Sequence, residues 1–169
     1  MTRAVLSFGS NLGDRFAHLL AGVHGFAGAL VAASPVYETP PWGGVEQGDF
    51  LNAVILVEDP ATDAWGWLRR GQQVEDAAGR IREVRWGPRT LDVDVVTVDA
   101  AGGPVRSEHP DLLLPHPGTP TRATVLRPWL DLDAGAVLPG HGRVAALLAA
   151  LGPGAEVGMS RREDLVLVP

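Results

Sequence analysis

The chain of 169 residues contains neither cysteine nor lysine, so its fourteen basic residues are all arginines. Without cysteine it has no disulfide, no thiolate zinc site and no thiol nucleophile, which makes the reducing cytoplasm the default compartment. Without lysine it lacks the lysine of a P-loop. No apolar run reaches the length of a membrane span, and the first residues lack the apolar core of a signal peptide. We therefore expect a cytoplasmic protein with no membrane partner.

Size and net charge narrow the class of protein further. The formal charge of −6 argues against nucleic acid as a partner, because nucleic-acid binding usually needs a basic face. Apolar residues make up 46% of the chain and charged residues 20%, which is typical of a globular protein. A chain of this length accommodates one domain with a proper core. We expect a single domain over residues 1–169 that acts as a monomer on small molecules.

Hydrophobic periodicity predicts alternating strands and helices. One helix follows the turn at residues 9–14 and ends near Leu30, and a second begins at the capping pair Asp59 and Pro60. The predicted helices after the first cover residues 61–78 and 143–151. The predicted strands cover residues 4–8, 31–38, 50–58 and 91–98, with a strand or a tail at 165–168. This order predicts an α+β, ferredoxin-like sandwich, with helices on one face of a mainly antiparallel sheet.

Two acidic residues on the last central strand are candidate metal ligands. Asp92 and Asp94 are two residues apart, so their side chains project from the same face of a strand. Val93 and Val95 are predicted on the opposite face, while Val96 and Val98 continue the face of the acids. A solvated edge face would also explain paired acids. The apolar remainder of the strand favours a magnesium site at the strand end, because magnesium takes one or two carboxylates plus substrate phosphates.

Four arginines lie within ten residues just before this strand. They are Arg80, Arg82, Arg85 and Arg89. A solvent-exposed basic loop is the simple interpretation, and Arg85 fits it. A loop with glycines at its ends can also close over a polyphosphate and neutralise the charge that develops during transfer. The acids and the arginines together indicate phosphoryl chemistry.

Other candidates are less specific. His116 lies between two prolines, and a structural turn explains it as well as a functional role does. The segment Gly-Ser-Asn-Leu-Gly at residues 9–13 lacks the spacing of a dinucleotide motif. A strand-to-helix turn with an N-cap is the favoured interpretation, with a substrate-side backbone wall as the alternative. Gln72 and Glu75 lie off the apolar stripe of the second helix and share another face.

Taken together, these segments resemble the 6-hydroxymethyl-7,8-dihydropterin pyrophosphokinase family. The similarity runs in the family's order through residues 6–15, 34–43, 50–54, 85–96 and 114–117, and then through Arg122. It covers most of residues 5–130, and the tract at 85–94 is its most specific part. The resemblance implies a ferredoxin-like α+β fold and transfer of pyrophosphate from ATP to the hydroxymethyl group of the pterin in folate biosynthesis, with release of AMP.

The resemblance also implies roles for individual residues. Asp92 and Asp94 would hold two Mg²⁺ ions that bridge the triphosphate of ATP. Arg80 and Arg89 would be catalytic and stabilise the transferred group. The implied ATP contacts are Gln72, Glu75, Arg82, Trp86, Val95, His116 and Arg122. The implied pterin contacts are Thr39, Pro40, Pro41, Trp42, Phe50 and Asn52; among them Asn52 hydrogen-bonds the amide-like edge, and Phe50 stacks on one ring face.

The chain departs from the family at one position. The family usually has arginine, any residue and phenylalanine where this chain has Arg122, Ala123 and Thr124. Thr124 offers no second ring to stack on the pterin, a loss of about 0.5–1.5 kcal/mol unless another ring replaces it. Two rival functions stay open: a transferase for another flat heterocycle, and a regulator that binds nucleotide or pterin without turnover. Retention of the complete set of acids and arginines favours the enzyme.

Overall fold

The computed structural model describes residues 1–41, 46–79 and 90–168. Within these ranges the helices are α1 (Arg15–His24), α2 (Ala64–Ala77), α3 (Ala123–Leu132) and α4 (Val144–Ala150). The strands are β1 (Thr2–Ser10), β2 (Leu30–Ala33), β3 (Tyr37–Thr39), β4 (Phe50–Asp59), β5 (Asp92–Ala100), β6 (Gly103–Pro104), β7 (Ser107–His109), β8 (Leu112–Leu114), β9 (Val137–Leu138), β10 (Gly142–Arg143) and β11 (Ser160–Arg161). None of the helices in the described part combines the length and apolar character that crossing a membrane requires.

The main sheet is antiparallel, and β4, β1 and β5 are its long strands. Its strand order is β11-β3-β4-β1-β5-β6, and β2 also pairs with β4. The register aligns Gly9 of β1 with Asn52 of β4 on one side and with Asp92 of β5 on the other. Residues in register project from the same face of a sheet. Gly9, Asn52 and Asp92 therefore form one row across the sheet.

Hydrophobic side chains cover both faces of this sheet. The first cluster packs α1 and α2 against residues such as Leu6 and Phe8, and the second packs α3 and α4 against residues such as Val5 and Val54. Because side chains alternate along a strand, the two clusters lie on opposite faces. The prediction of helices on one face only was therefore wrong. The sequence pattern did not reveal α3, which contains Pro128, a residue that usually interrupts helices.

A β-bulge in β5 corrects a second prediction. The pairing of β1 with β5 shifts register between Val5 and Leu6, where Val96 becomes the extra residue. A bulge of one residue moves every later side chain to the other face. Val96 accordingly lies in the second cluster, on the face of Asp92 and Asp94, whereas Val98 lies in the first. The expectation that Val98 shares the face of the acids was wrong.

Helix ends also differ from the predicted ones. The first helix ends at His24 and not near Leu30, which belongs to β2. The second begins at Ala64, because the carboxylate of Asp63 and not the pair at 59–60 accepts the capping hydrogen bond, from the backbone N–H of Gly66 at 2.7 Å. Near the C-terminus the strand is β11, whereas Leu167 is buried in the first cluster without belonging to a strand.

Candidate active site

A cavity of about 240 Å³ lies on the α3 face of the sheet, beyond the second cluster. Four neighbouring strands contribute to its floor and one side, and the start of α3 supplies the other side. The strand residues that line it are Ser7, Gly9, Thr39, Phe50, Asn52, Asp92 and Asp94. The remaining lining residues are Pro40, Gly118, Thr121, Arg122, Thr124 and Val125. On the α3 face of the strands, the cavity therefore begins where the apolar side chains of the second cluster give way to polar ones.

The two acids line this cavity together. Gly9 is in register with Asp92 and Ser7 with Asp94, and all four residues line the cavity. Alternation along β5 places the two carboxylates on one face, as predicted. Among the described residues no three or more His, Cys, Asp or Glu side chains are grouped as metal ligands. The carboxylates of Asp92 and Asp94 therefore suit a cation whose remaining oxygen ligands come from a substrate.

His116 lies beside the acids as a neutral imidazole. Its backbone N–H donates to the Val96 carbonyl at 2.9 Å, and its Nδ1 accepts from the Gly118 N–H at 3.2 Å. The tautomer assigned from this hydrogen bond carries its proton on Nε2, which is 3.8 Å from Asp94 Oδ1. Burial lowers the pKa of His116, the Arg122 guanidinium lowers it further, and Asp92 opposes both effects. The ring therefore presents a neutral N–H donor at neutral pH.

Arg122 enters the cavity through the space left by a glycine. A Cβ on Gly118 would lie 2.6 Å from Arg122 Cζ and 2.7 Å from its Nε. The φ of Gly118 is −76°, so the backbone itself does not require glycine. Absence of a side chain at Gly118 is thus what allows the guanidinium its observed position.

The end of the cavity away from Asp92 and Asp94 is lined by the amide of Asn52, the hydroxyl of Thr39 and the ring of Phe50. Asn52 Nδ2 donates to Thr39 Oγ1 at 2.5 Å, and Phe50 is in register with Thr39. A Cβ on Gly9 would lie 3.0 Å from Asn52 Oδ1 and 3.4 Å from Phe50 Cδ1. The first distance is tighter than an ordinary contact and the second is at the lower limit of one, so glycine allows Asn52 and Phe50 to approach β1. The structure places Gly9 on the floor of the cavity, which the sequence offered only as an alternative.

Several predicted site residues do not line this cavity. Pro41 lines a second cavity of about 420 Å³, which shares Pro40, Thr121 and Thr124 with the first. Val95 is buried in the first cluster, on the opposite face from the acids. Gln72 is exposed on α2. The predicted residues Trp42, Arg80, Arg82, Arg85, Trp86 and Arg89 lie outside the described residues.

Glu75 is buried and is hydrogen-bonded to the backbone of β5. It is 4% exposed and aligns with Trp67 and Gly71 on the buried side of α2, so the prediction that it lies off the apolar stripe was wrong. Its Oε2 accepts from the backbone N–H of Val93, between the two acids, at 3.0 Å. A Cβ on Gly71 would lie 3.1 Å from Val93 Cγ1, which shows how closely α2 approaches β5.

Several residues that line the cavity were not predicted from the sequence. Ser7 alternates along β1 with the buried Leu6 and Phe8, and its place on the same face as Gly9 was the available signal. Gly118, Thr121 and Val125 come from the 3-10 turn Thr119–Thr121 and its surroundings, including the unpredicted α3, and no periodic pattern marks them.

Comparison with known proteins identifies the family. The model of the 7,8-dihydro-6-hydroxymethylpterin-pyrophosphokinase (HPPK) family matches residues 5–134. The chain belongs to this family. A 2-amino-4-hydroxy-6-hydroxymethyldihydropteridine pyrophosphokinase of Mycobacterium tuberculosis is 51% identical over 161 residues, covering 90% of this chain and 86% of that protein. The enzyme of the same name from Methylorubrum extorquens is 41% identical over 157 residues, covering 90% of this chain and 96% of that protein.

Solved structures of the HPPK family share the fold. A crystal structure of HPPK-DHPS in complex with substrates has a TM-score of 0.70 at 11% identity, covering 95% of this chain. A Plasmodium falciparum HPPK-DHPS crystal structure has a TM-score of 0.65 at 12% identity, covering 92% of this chain. The chain spans about half the length of these proteins, at 46% and 45%. At this identity the comparison establishes the architecture, namely an antiparallel sheet packed with helices.

Proposed function

We propose that this HPPK family member transfers pyrophosphate from ATP to the hydroxymethyl group of 6-hydroxymethyl-7,8-dihydropterin, a step of folate biosynthesis. The hydroxymethyl oxygen forms a bond to the β-phosphorus of ATP, and the bond from that phosphorus to the α,β-bridging oxygen breaks. AMP leaves with the bridging oxygen, and the hydroxyl proton is released. The supporting observation is that one cavity joins two carboxylates at one end to an amide, a hydroxyl and a ring at the other.

The carboxylate end suits the triphosphate and magnesium. Mg²⁺ is usually held by one or two carboxylates, with phosphates and water completing its oxygen ligands. Asp92 and Asp94 provide that donor set in the cavity. We propose that they hold two Mg²⁺ ions, which when bound neutralise the charge of the phosphates during transfer. Arg122 contributes a cation to the lining of the cavity, and His116, which does not line it, contributes a neutral N–H donor 3.8 Å from Asp94.

The other end of the cavity suits the pterin. Thr39 engages Asn52 Nδ2, which leaves Asn52 Oδ1 as the acceptor for the N–H groups of a flat, amide-like heterocycle. Phe50 offers a ring for stacking, and Pro40 narrows the cavity beside it. This end orients the hydroxymethyl group, and positioning of the two substrates is the main contribution of the protein to phosphoryl transfer.

The remaining roles are proposed from the family resemblance. We assign catalytic stabilisation of the transferred group to Arg80 and Arg89. Contacts to ATP are assigned to Gln72, Arg82, Trp86 and Val95, and contacts to the pterin to Pro41 and Trp42. Glu75 is assigned an indirect role at the nucleotide side, because it is buried and bonded to β5.

We propose further that residues 1–169 form one ferredoxin-like domain that works as a cytoplasmic monomer. The order β3-β4-β1-β5, with α1 following β1 and α2 following β4, supports the ferredoxin-like assignment. The C-terminal strand β11 pairs with β3, which supports a single domain extending beyond the residues that match the family.

An AMP-release assay tests the function. Purified protein is incubated with ATP and Mg²⁺, with and without 6-hydroxymethyl-7,8-dihydropterin, and nucleotides are separated. We expect AMP and pterin pyrophosphate in equal amounts, only when the pterin is present. Tight binding of both substrates without AMP would instead indicate a regulator. Turnover with a different flat heterocyclic alcohol, but not with this pterin, would assign a different substrate, an outcome motivated by Thr124 beside the cavity.

A further inference from the structure

Residues 46–49 form the return arm of the connection between β3 and β4, and they lead directly into the pterin end of the cavity. They precede Phe50, which is paired in register with Thr39, and both of these residues line the cavity. The return arm belongs to no strand or helix. An arm without sheet pairing needs other hydrogen bonds to hold it in one place.

Two side chains of the β1–α1 segment supply those hydrogen bonds. Asn11 Nδ2 donates to the Gln47 side-chain oxygen at 2.7 Å and to the Gly48 carbonyl at 3.0 Å. Arg15 Nη1 donates to the Asp49 carbonyl at 3.0 Å. Three consecutive residues of the return arm are therefore bonded to a segment of five residues, from 11 to 15.

Arg15 also forms an ion pair with β3, the strand that precedes the connection. Its Nη1 lies 2.7 Å from Glu38 Oε2, and Glu38 is the residue before Thr39. The Arg15 guanidinium thus joins Glu38 of β3 to Asp49, the residue immediately before β4. Its side chain is 29% exposed and that of Glu38 is 28% exposed, so the pair is partly shielded from water.

The anchoring segment is itself fixed to the floor of the cavity. It continues from Gly9 and Ser10 at the end of β1, and Asn11 is 8% exposed. Asp14 caps α1 by accepting from the Ala17 N–H at 3.1 Å, which sets the orientation of Arg15, the first residue of that helix. The floor and the anchor of the connection are consequently one continuous stretch of chain.

We infer that Asn11 and Arg15 are positioning residues for the pterin, because they hold the return arm, residues 46–49, against the segment that continues from the floor of the cavity. This inference rests on the proposed function. Neither residue lines the cavity, so each acts through the connection and not by touching a substrate. Loss of either anchor gives the return arm more conformations in the free protein, and binding the pterin then requires ordering this arm again. ATP binding at the opposite end does not depend on this ordering.

The primary test is Arg15→Ala with two matched controls. Arg3→Ala removes another arginine–glutamate pair of the same sheet, with Glu58 at 2.8 Å, at the opposite end of β1. Arg162→Ala removes a second arginine next to Glu38, at 3.6 Å, whose ion pairs within the described part of the chain are to Glu38 and Asp164 and not to residues 46–49. We expect the KM for the pterin to rise about ten-fold in Arg15→Ala only, with the KM for ATP within about two-fold of wild type.

A second readout is independent of turnover. Amide hydrogen exchange at residues 46–49 should accelerate in Arg15→Ala and stay unchanged in both controls. Asn11→Asp keeps the side-chain size but removes both donated hydrogen bonds, so it should reproduce both effects and covers the case in which Arg15→Ala fails to fold.

Three results would overturn the inference: unchanged exchange at residues 46–49 in both variants, an equal rise in the KM for ATP, or the same pterin defect in Arg162→Ala. If the wild type releases no AMP, the proposed function fails, while the exchange experiment still decides whether the connection is anchored.

Discussion

The two ends of the cavity are built in different ways. At the carboxylate end, Asp92 and Asp94 are two residues apart on one strand, so local alternation alone brings them together. At the pterin end, Thr39, Phe50 and Asn52 depend on the register between β3 and β4 and on the missing side chain of Gly9 on a third strand. The carboxylate end depends on charge and on spacing within one strand, whereas the pterin end depends on the fit between three strands, to a few tenths of an ångström at Gly9.

The largest expected effect is on the carboxylate end. Asp94→Ala should reduce kcat by about 10³-fold or more, because it removes half of the proposed magnesium site and leaves phosphate charge without compensation. Pterin binding measured without nucleotide should stay unchanged. Asp99→Ala is the control, since Asp99 lies on the same strand but is exposed beyond the cavity. Near-normal turnover of Asp94→Ala would contradict the metal assignment.

A substitution on the floor tests the shape of the pterin end. Gly9→Ala places a methyl group 3.0 Å from Asn52 Oδ1 and should raise the Kd for the pterin by roughly ten-fold, an overpacking cost of about 1–2 kcal/mol. The Kd for ATP should not change. Gly28→Ala is a matched control, because a Cβ there meets nothing within 4 Å. Equal losses for both ligands would show that the two ends are not independent.

Adding a ring should strengthen the pterin end. Thr124 lines the cavity at the start of α3, where the family usually has phenylalanine. Thr124→Phe should lower the Kd for the pterin by roughly two- to ten-fold, in line with about 0.5–1.5 kcal/mol for an aromatic pair. Thr124→Val, which adds no ring, should leave this Kd nearly unchanged. A weaker pterin affinity in Thr124→Phe would mean that the space beside Thr124 is needed by the substrate.

The smallest effect at neutral pH concerns a hydrogen bond behind the pterin end, whose contribution changes only at high pH. Tyr37 is in register with Asn52, and its hydroxyl donates to Asp131 of α3. Burial, the hydrogen bond and the charge of Asp131 raise the pKa of Tyr37 from 10.0 to about 12. The folded protein therefore holds this proton more tightly than the unfolded chain. Its contribution to stability is complete below pH 10 and is lost as the pH rises through about 12.

The composition of the chain makes this titration unusually easy to observe. The chain has one tyrosine, no lysine and no cysteine, so Tyr37 is the side chain expected to titrate between pH 10 and 12. Tyrosinate absorbance should report its pKa directly. The free energy of unfolding should fall by on the order of 2 kcal/mol across this range in wild type and stay flat in Tyr37→Phe. An equal fall in Tyr37→Phe would contradict the assignment.

Much of the fold and part of the site followed from local patterns. Alternation predicted the strands around Phe50 and Asp92, and the spacing of the two acids put them on one face, as the structure confirms. The failures were of two kinds. Helix α3 carries Pro128 at an interior position, where packing against the second cluster overrides local preference. Glu75 was predicted to lie on a polar face of the second helix. It is buried instead, and the hydrogen bond that its carboxylate accepts from the Val93 N–H makes this burial favourable.

The sequence by itself determined the family to which the chain belongs, the shared face of the two acids on β5 and the cluster of arginines before them. Residue identity and short spacing carry that information, because neighbours along a strand or helix have a fixed relative direction. Only the tertiary structure decided that Gly9 forms the floor, that Gly118 makes room for Arg122, that Val98 changes face, and that Asn11 and Arg15 are hydrogen-bonded to the residues before β4. Each of these depends on a contact or register between distant segments, and such distances are set only when the sheet and helices have packed.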